Sequence, residues 1–159
     1  MADGLAGASS APIFSVDPIE ATMWVSGLPK AETGIAAYNV AQALASENLK
    51  LGRTVIVDAV NPVDAARQMW RDLAEQQSVD LVFIEIVCSD VKIHRERIEA
   101  RVRNIEGMPE VTWEAVQSRR DEYEPWTEDR LVLDSAFEPP SALIAQAIEH
   151  VTSHDRNSG

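Results

Sequence analysis

Short apolar runs rich in β-branched residues alternate along this chain with longer stretches of helical periodicity. Pro12 to Val16, Thr54 to Val57, Leu81 to Cys88 and Leu131 to Leu133 read as strands, and each leads into a polar residue. The segments between them are too long for hairpins and match the length of crossover helices, which make successive strands parallel. The fold class expected is therefore α/β: a three-layer sandwich with a mainly parallel sheet. The run from Leu81 to Cys88 is almost wholly apolar, as in a strand covered on both faces.

The punctuation between strands supports the alternation. Asp17-Pro18-Ile19-Glu20 carries helix-start chemistry, with Asp17 as cap, a proline in the first turn and a glutamate at N3. Ala37, Val40, Ala41, Leu44 and Ala45 recur at helical spacing between Glu32 and Lys50, and Gly52 stands where that helix should stop. Asn61-Pro62 repeats the cap-plus-proline signal ahead of Val63, Ala66, Met69, Trp70 and Leu73. Helices are also expected from about Asp90 to Arg103, from a Thr112 cap to about Tyr123, and through Leu143, Ile144, Ala147, Ile148 and Val151. There is no internal repeat and no interdomain linker. A single domain over residues 1–153 is expected, followed by a polar tail, His154 to Gly159.

Charge narrows the function. Fourteen Lys and Arg against 26 Asp and Glu give a net charge of −12, which argues against nucleic acid and anionic membranes as partners. A small-molecule substrate remains compatible, because a negative domain can still gather its few cations at one anion site. Cys88 is the only cysteine, which excludes an intramolecular disulfide, and its apolar run makes it a small hydrophobe. No run is long and apolar enough to span a membrane, and no basic-then-hydrophobic leader is seen, so a cytoplasmic location is the default. The sequence leaves the oligomeric state open.

In open parallel sheets, ligands bind beyond the carboxyl ends of the strands. Asp17, Asp58 and Asp134 follow strands there and could hold magnesium through water or take a proton from a hydroxyl. Asp17 also suits a helix cap, and Asp134 also suits a turn. A second constellation is the basic segment from Lys92 to Arg103, where His94, Arg97 and Arg101 share one helical stripe suited to phosphate. The neighbouring stripe of Lys92, Glu96, Glu99 and Arg103 reads as a solvated, ion-paired face, and Arg95 shares its side with Val91, Ile98 and Val102. Tyr123 and Trp126 either stack on a ligand or close a loop onto the core; the second reading is favoured.

Taken in order, Phe14-Ser15-Val16-Asp17, Thr54 to Pro62, Cys88-Ser89-Asp90, His94-Arg95-Glu96-Arg97 with Arg101, and Tyr123-Glu124-Pro125-Trp126 resemble the AAA-type ATPase or kinase-like family of bacterial P-loop proteins. Its relatives include gluconate, adenylylsulfate and antibiotic kinases, polynucleotide kinase and zeta toxins. The resemblance implies that Asp17 activates a substrate hydroxyl and that Asp58 lies near magnesium and the γ-phosphate. It places Asn61 and Arg67 near the substrate, and makes Arg97 and Arg101 lid arginines that contact ATP, with Arg103 assisting. The lid would span about residues 90–123. Such a division of labour suits phosphoryl transfer, which depends mainly on positioning and charge stabilisation.

The departure from the family is the phosphate loop. No Gly-x-x-x-x-Gly-Lys-Ser/Thr is present; Lys30, Lys50 and Lys92 are the only lysines, and none follows a glycine. Ala2 to Gly7 looks like the last turns of the helix that follows such a loop. The expectation is that Met1 is an internal start and that the first, central strand is missing, leaving two strands with unpaired edges. ATP and magnesium are the implied cofactors, bound weakly by residues 1–159. A non-catalytic nucleotide- or partner-binding remnant and a magnesium-dependent phosphohydrolase using Asp17 and Asp58 are the alternatives.

Overall fold

The computed structural model describes residues 1–157. Helix α1 (Ala2–Ser9) leads into β1 (Ile13–Ser15), α2 (Val16–Val25) and α3 (Lys30–Leu49). Strand β2 (Ile56–Asp58), α4 (Asp64–Gln77), β3 (Ile84–Val87) and α5 (Val91–Ala100) follow. The chain continues through α6 (Trp113–Asp121), β4 (Leu131–Asp134) and α7 (Pro140–Asn157). The expected polar tail is thus helical as far as Asn157; Ser158 and Gly159 lie outside the described residues.

Both strand pairs are parallel. Ile13, Phe14 and Ser15 of β1 face Ile56, Val57 and Asp58 of β2. Strand β3 pairs with β4 from Ile84↔Leu131 to Val87↔Asp134. The two ladders share no hydrogen bonds with each other. Between them lies a slot of about 940 Å³, bordered by Ile56 and Asp58 of β2, Ile84 and Ile86 of β3, Leu5 of α1 and Ile148 of α7. This corrects the picture of β3 as a strand covered throughout: Ile86 is 41% exposed. Its apolar face borders open space.

The main core joins Val16, Ala37, Ala41, Ala45, Trp70 and Leu73. Helix α3 buries Thr33, Ala37, Ala41 and Ala45, one stripe at four-residue spacing. Val40 and Leu44, expected on the buried face, are 39% and 43% exposed. Small side chains let the helix backbone approach its neighbours, and the larger ones are turned outward. Helices α2 and α3 are joined by a relay in which Trp24 Nε1 donates to Thr33 Oγ1 at 2.6 Å and Thr33 donates to Glu20 Oε1 at 2.9 Å. A second cluster of Leu133, Leu143 and Ala147 packs α7 on the β3–β4 ladder with Leu5 of α1. Helices α1 and α7 approach closely at Gly4, where a Cβ would stand 2.3 Å from Ile144 Cδ1 and would have to displace the end of that side chain.

Capping departs from expectation at two positions. Helix α2 starts at Val16, so Asp17 lies in its first turn instead of capping it. Asn61 does not cap α4, whose N-cap position is Val63. Asn61 instead adopts a left-handed φ of 49°, and its Oδ1 accepts a hydrogen bond from Trp70 Nε1 at 2.8 Å. Asp90 and Thr112 are side-chain caps for α5 and α6.

Arg67 departs furthest from its expected place near the substrate. It is fully buried, and its guanidinium donates to the carbonyls of Asn61, Pro62, Glu124 and Pro125. The charge lies 4.1 Å from the Trp126 ring centroid and 5.4 Å from that of Tyr123. Trp126 Nε1 donates to Tyr123 Oη, which donates to Glu85 Oε1, and Trp126 packs edge-on against Phe83. The aromatic corner therefore closes onto the core, and Arg67 has no face left for a substrate.

Three predictions follow from the fold. Arg67→Met leaves the four carbonyls without their cationic donor, so urea unfolding should show a loss of about 3 kcal/mol. Arg101→Met, at an exposed position, should change stability by less than about 0.5 kcal/mol. Asp134 is held below its ordinary pKa by hydrogen bonds from the Ser89 hydroxyl first, then from the Ala136 and Ser89 amides. Its contribution is therefore complete above the ordinary value of 3.8 and disappears as pH falls through the depressed value. The stability difference between wild type and Asp134→Asn, measured by unfolding at several pH values, should be constant at neutral pH and close in acid.

Candidate functional site

The register of the first ladder brings the acidic residues together. Ser15 pairs with Asp58 at the carboxyl end of β1 and β2, and Ser15 Oγ donates to Asp58 Oδ2 at 3.3 Å. Strand β1 runs directly into α2, placing Asp17 just beyond that pair. A carboxylate in the first turn of a helix is favoured by the exposed amides and the positive end of the helix dipole. Its ion pair is with Arg103, whose Nη1 lies 3.1 Å from Asp17 Oδ2. Asp58 is exposed.

Behind these carboxylates stands a fixed wall. Tyr38 Oη accepts a hydrogen bond from the Asn61 amide at 3.1 Å, and the Tyr38 ring packs 6.2 Å from Trp70. Burial is the main cause of a raised Tyr38 phenol pKa, opposed by the Asn61 hydrogen bond. Asn61, which the family resemblance sets near the substrate, has its side-chain oxygen committed to Trp70. Neither Tyr38 nor Ser15 is a candidate on sequence grounds. Ser15 was legible only through the register that sets it opposite Asp58.

The third aspartate is not part of this group. Asp134 Oδ1 accepts from the amides of Ser89 and Ala136, which makes it the turn residue of its alternative reading. Arg97 lies over the same end of β4, donating to the Ser135 carbonyl at 2.7 Å and approaching Ser135 Oγ at 3.3 Å.

Helix α5 ends at Ala100, so Arg101 is the C-cap, with extended backbone, and Arg103 belongs to the loop beyond. The helical stripe of His94, Arg97 and Arg101 is therefore broken at its last member. His94 packs edge-on to Trp113, and burial, then Arg120 and Arg97, push its pKa down. Arg95 pairs with Glu99 on an exposed face. Arg103, expected beside the nucleotide with Arg97 and Arg101, instead lies against Asp17.

The donor chemistry accommodates magnesium modestly. Among the described residues there is no group of three or more His, Cys, Asp or Glu able to hold a metal alone. The Asp58 carboxylate with the Ser15 hydroxyl is an oxygen set suited to an ion that keeps most of its waters and also binds phosphate. Arg97 and Arg101 are exposed cations of the kind a nucleotide phosphate would need, while residues 1–159 contain no glycine-rich phosphate cradle. No helix among the described residues is long and apolar enough to cross a membrane.

Comparison with solved structures places this geometry in a known fold. A provisionally named kinase from Chloroflexus aurantiacus superposes with a TM-score of 0.69 at 18% identity, over 94% of this chain and 89% of that one. An unliganded sugar kinase from a Janibacter species gives 0.65 at 18% identity, over 93% of this chain and 83% of that one. No curated protein sequence matches. The family model described as an AAA domain matches residues 2–126, and with parallel ladders, acidic strand ends and a P-loop kinase fold already in place, this chain belongs to that family of P-loop NTPases.

Proposed function

We propose that this chain carries the acceptor and lid portions of an ATP-dependent enzyme that phosphorylates the hydroxyl of a small molecule. The observation that carries this reading is the convergence of Asp17, Asp58 and Ser15 at one end of a parallel ladder. Asp17 is the group to accept a hydrogen bond from the acceptor hydroxyl and orient it. Asp58, with Ser15, is the group to hold magnesium through water. Arg97 and Arg101 would face the nucleotide phosphates. ATP and magnesium, when bound, supply the phosphoryl group and neutralise its charge; the protein's part is placement and electrostatic stabilisation. One structural relative is named a sugar kinase, which supports a hydroxyl-bearing acceptor.

The phosphate cradle is the part that residues 1–159 do not supply. The slot between β2 and β3 is bounded by two strand edges. A further strand ending in a glycine-rich loop would join the ladders and deliver backbone amides beside Asp58. Calorimetry should therefore find weak MgATP binding to residues 1–159. The same chain, joined ahead of Ala2 to a strand and a Gly-x-x-x-x-Gly-Lys-Ser loop, should bind MgATP tightly and phosphorylate members of a polyol and sugar panel. In that protein Asp17→Asn should lower kcat by about a hundredfold or more with little change in the KM for ATP. Tight MgATP binding by residues 1–159 alone would contradict the missing-cradle reading. Transfer that survives Asp17→Asn would remove its assigned acceptor role.

A further inference from the structure

Arg103 Nε is the only buried side-chain polar atom among the described residues that has no hydrogen-bond partner. The Arg103 side chain is 9% exposed. Its Nη1 meets Asp17 Oδ2, and its Nη2 rests on the Met108 thioether, a weak acceptor. A guanidinium buried with one donor unused and another on sulfur is poorly compensated for leaving water. Something else must hold it there.

The rest of its loop does so. Residues 101–112 connect α5 to α6 and turn through Asn104, with φ 52°, and Gly107, with φ 80°. The Arg103 amide donates to Glu110 Oε1 at 2.9 Å. Gly107 lies so close to the last residue of α2 that a Cβ there would stand 2.4 Å from Val25 Cγ2 and 3.5 Å from the Ala21 carbonyl. The loop therefore grips α2 at both ends, through Arg103 on Asp17 in its first turn and through Gly107 on Val25 in its last turn.

We propose that this loop is a latched lid, in which Arg103 occupies Asp17 until an incoming acceptor displaces it. The inference rests on the reading of Asp17 as the acceptor-side carboxylate. An acceptor hydroxyl needs the same carboxylate that the guanidinium holds, so the two compete. The competition favours release because Arg103 leaves behind a thioether and an unsatisfied Nε. Its freed donors can then take oxygens of the acceptor. The substrate class admitted is therefore oxygen-rich, with at least one further oxygen close to the reacting hydroxyl. Arg103 serves acceptor entry, a role separate from that of Arg97 and Arg101.

Carbodiimide coupling of a small amine to carboxylates, read at each residue by mass spectrometry, tests the latch on residues 1–159 without nucleotide or turnover. Arg103→Gln removes the charge, and Gly107→Ala undocks the loop while leaving every charge in place. Both should raise the coupling rate at Asp17 several-fold while leaving Asp58 unchanged, and both should increase amide hydrogen exchange across residues 101–112. Should one variant fail to fold, as judged by its near-ultraviolet circular dichroism, the other decides. Unchanged coupling at Asp17 in a folded variant overturns the latch. Because the measurement needs no ATP, a failure of phosphoryl transfer would count against the proposed function and leave this result standing.

Discussion

A fully desolvated guanidinium is tolerable only if its donors are met, and Arg67 meets them with four backbone carbonyls drawn from two distant loops. The carbonyls of Asn61 and Pro62 belong to the turn that leaves β2, and those of Glu124 and Pro125 to the corner after α6. Two aromatic rings close over the charge. Each loop is thereby held by the same side chain, and neither can move without leaving a buried cation unsatisfied. Asp58 sits immediately before the first of them. Its position at the strand end is backed by Arg67, Trp70 and Tyr38 together, through the single left-handed residue Asn61.

The Asp17 side is built on the opposite plan. Where Arg67 has every carbonyl it needs, Arg103 has one carboxylate, one thioether and an idle Nε. Where the Asn61 turn is tied from three directions, the loop after α5 is seated by one ion pair and one close glycine contact. Under the proposed function, rigid strand ends beside a weakly seated loop would fix the reacting groups while letting substrate enter and leave. The same contrast explains why two arginines in one small domain have unlike roles. Burial alone does not separate them; the quality of their partners does.

Much of the architecture was legible because strand and helix periods differ and the chain keeps them distinct. The alternation of β-branched runs with amphipathic stretches, the Thr112 cap and the helix stop near Gly52 all appear where local chemistry places them. Asp58 was legible as a strand-end carboxylate for the same reason. The α3 face was not, since Val40 and Leu44 satisfy helical periodicity as well as Ala41 does; only tertiary packing reveals that the neighbouring elements approach too closely for larger side chains. Asp17 read as a cap because Asp-Pro is local chemistry, while its partner is 86 residues away at Arg103, a pairing that no window of sequence contains. Arg67 failed to stand out because its carbonyl partners are backbone atoms, which every residue carries. The aromatic corner that covers it was read correctly as a loop closure, but the cation beneath it was not foreseen.

A net charge of −12 and a separated pair of ladders bear directly on the phosphate binding proposed for this domain. Affinity must come from a few placed groups, since the overall field opposes it. The metal role proposed for Asp58 is open to direct measurement even when nucleotide binding is weak. Manganese added with ATP broadens the amide resonances nearest the ion. If Asp58 holds the metal, Ser15 to Asp17 and Asp58 to Asn61 should broaden first, with Asp58→Asn abolishing the effect. Broadening centred on Asp134, or spread evenly over the surface carboxylates, would contradict that assignment.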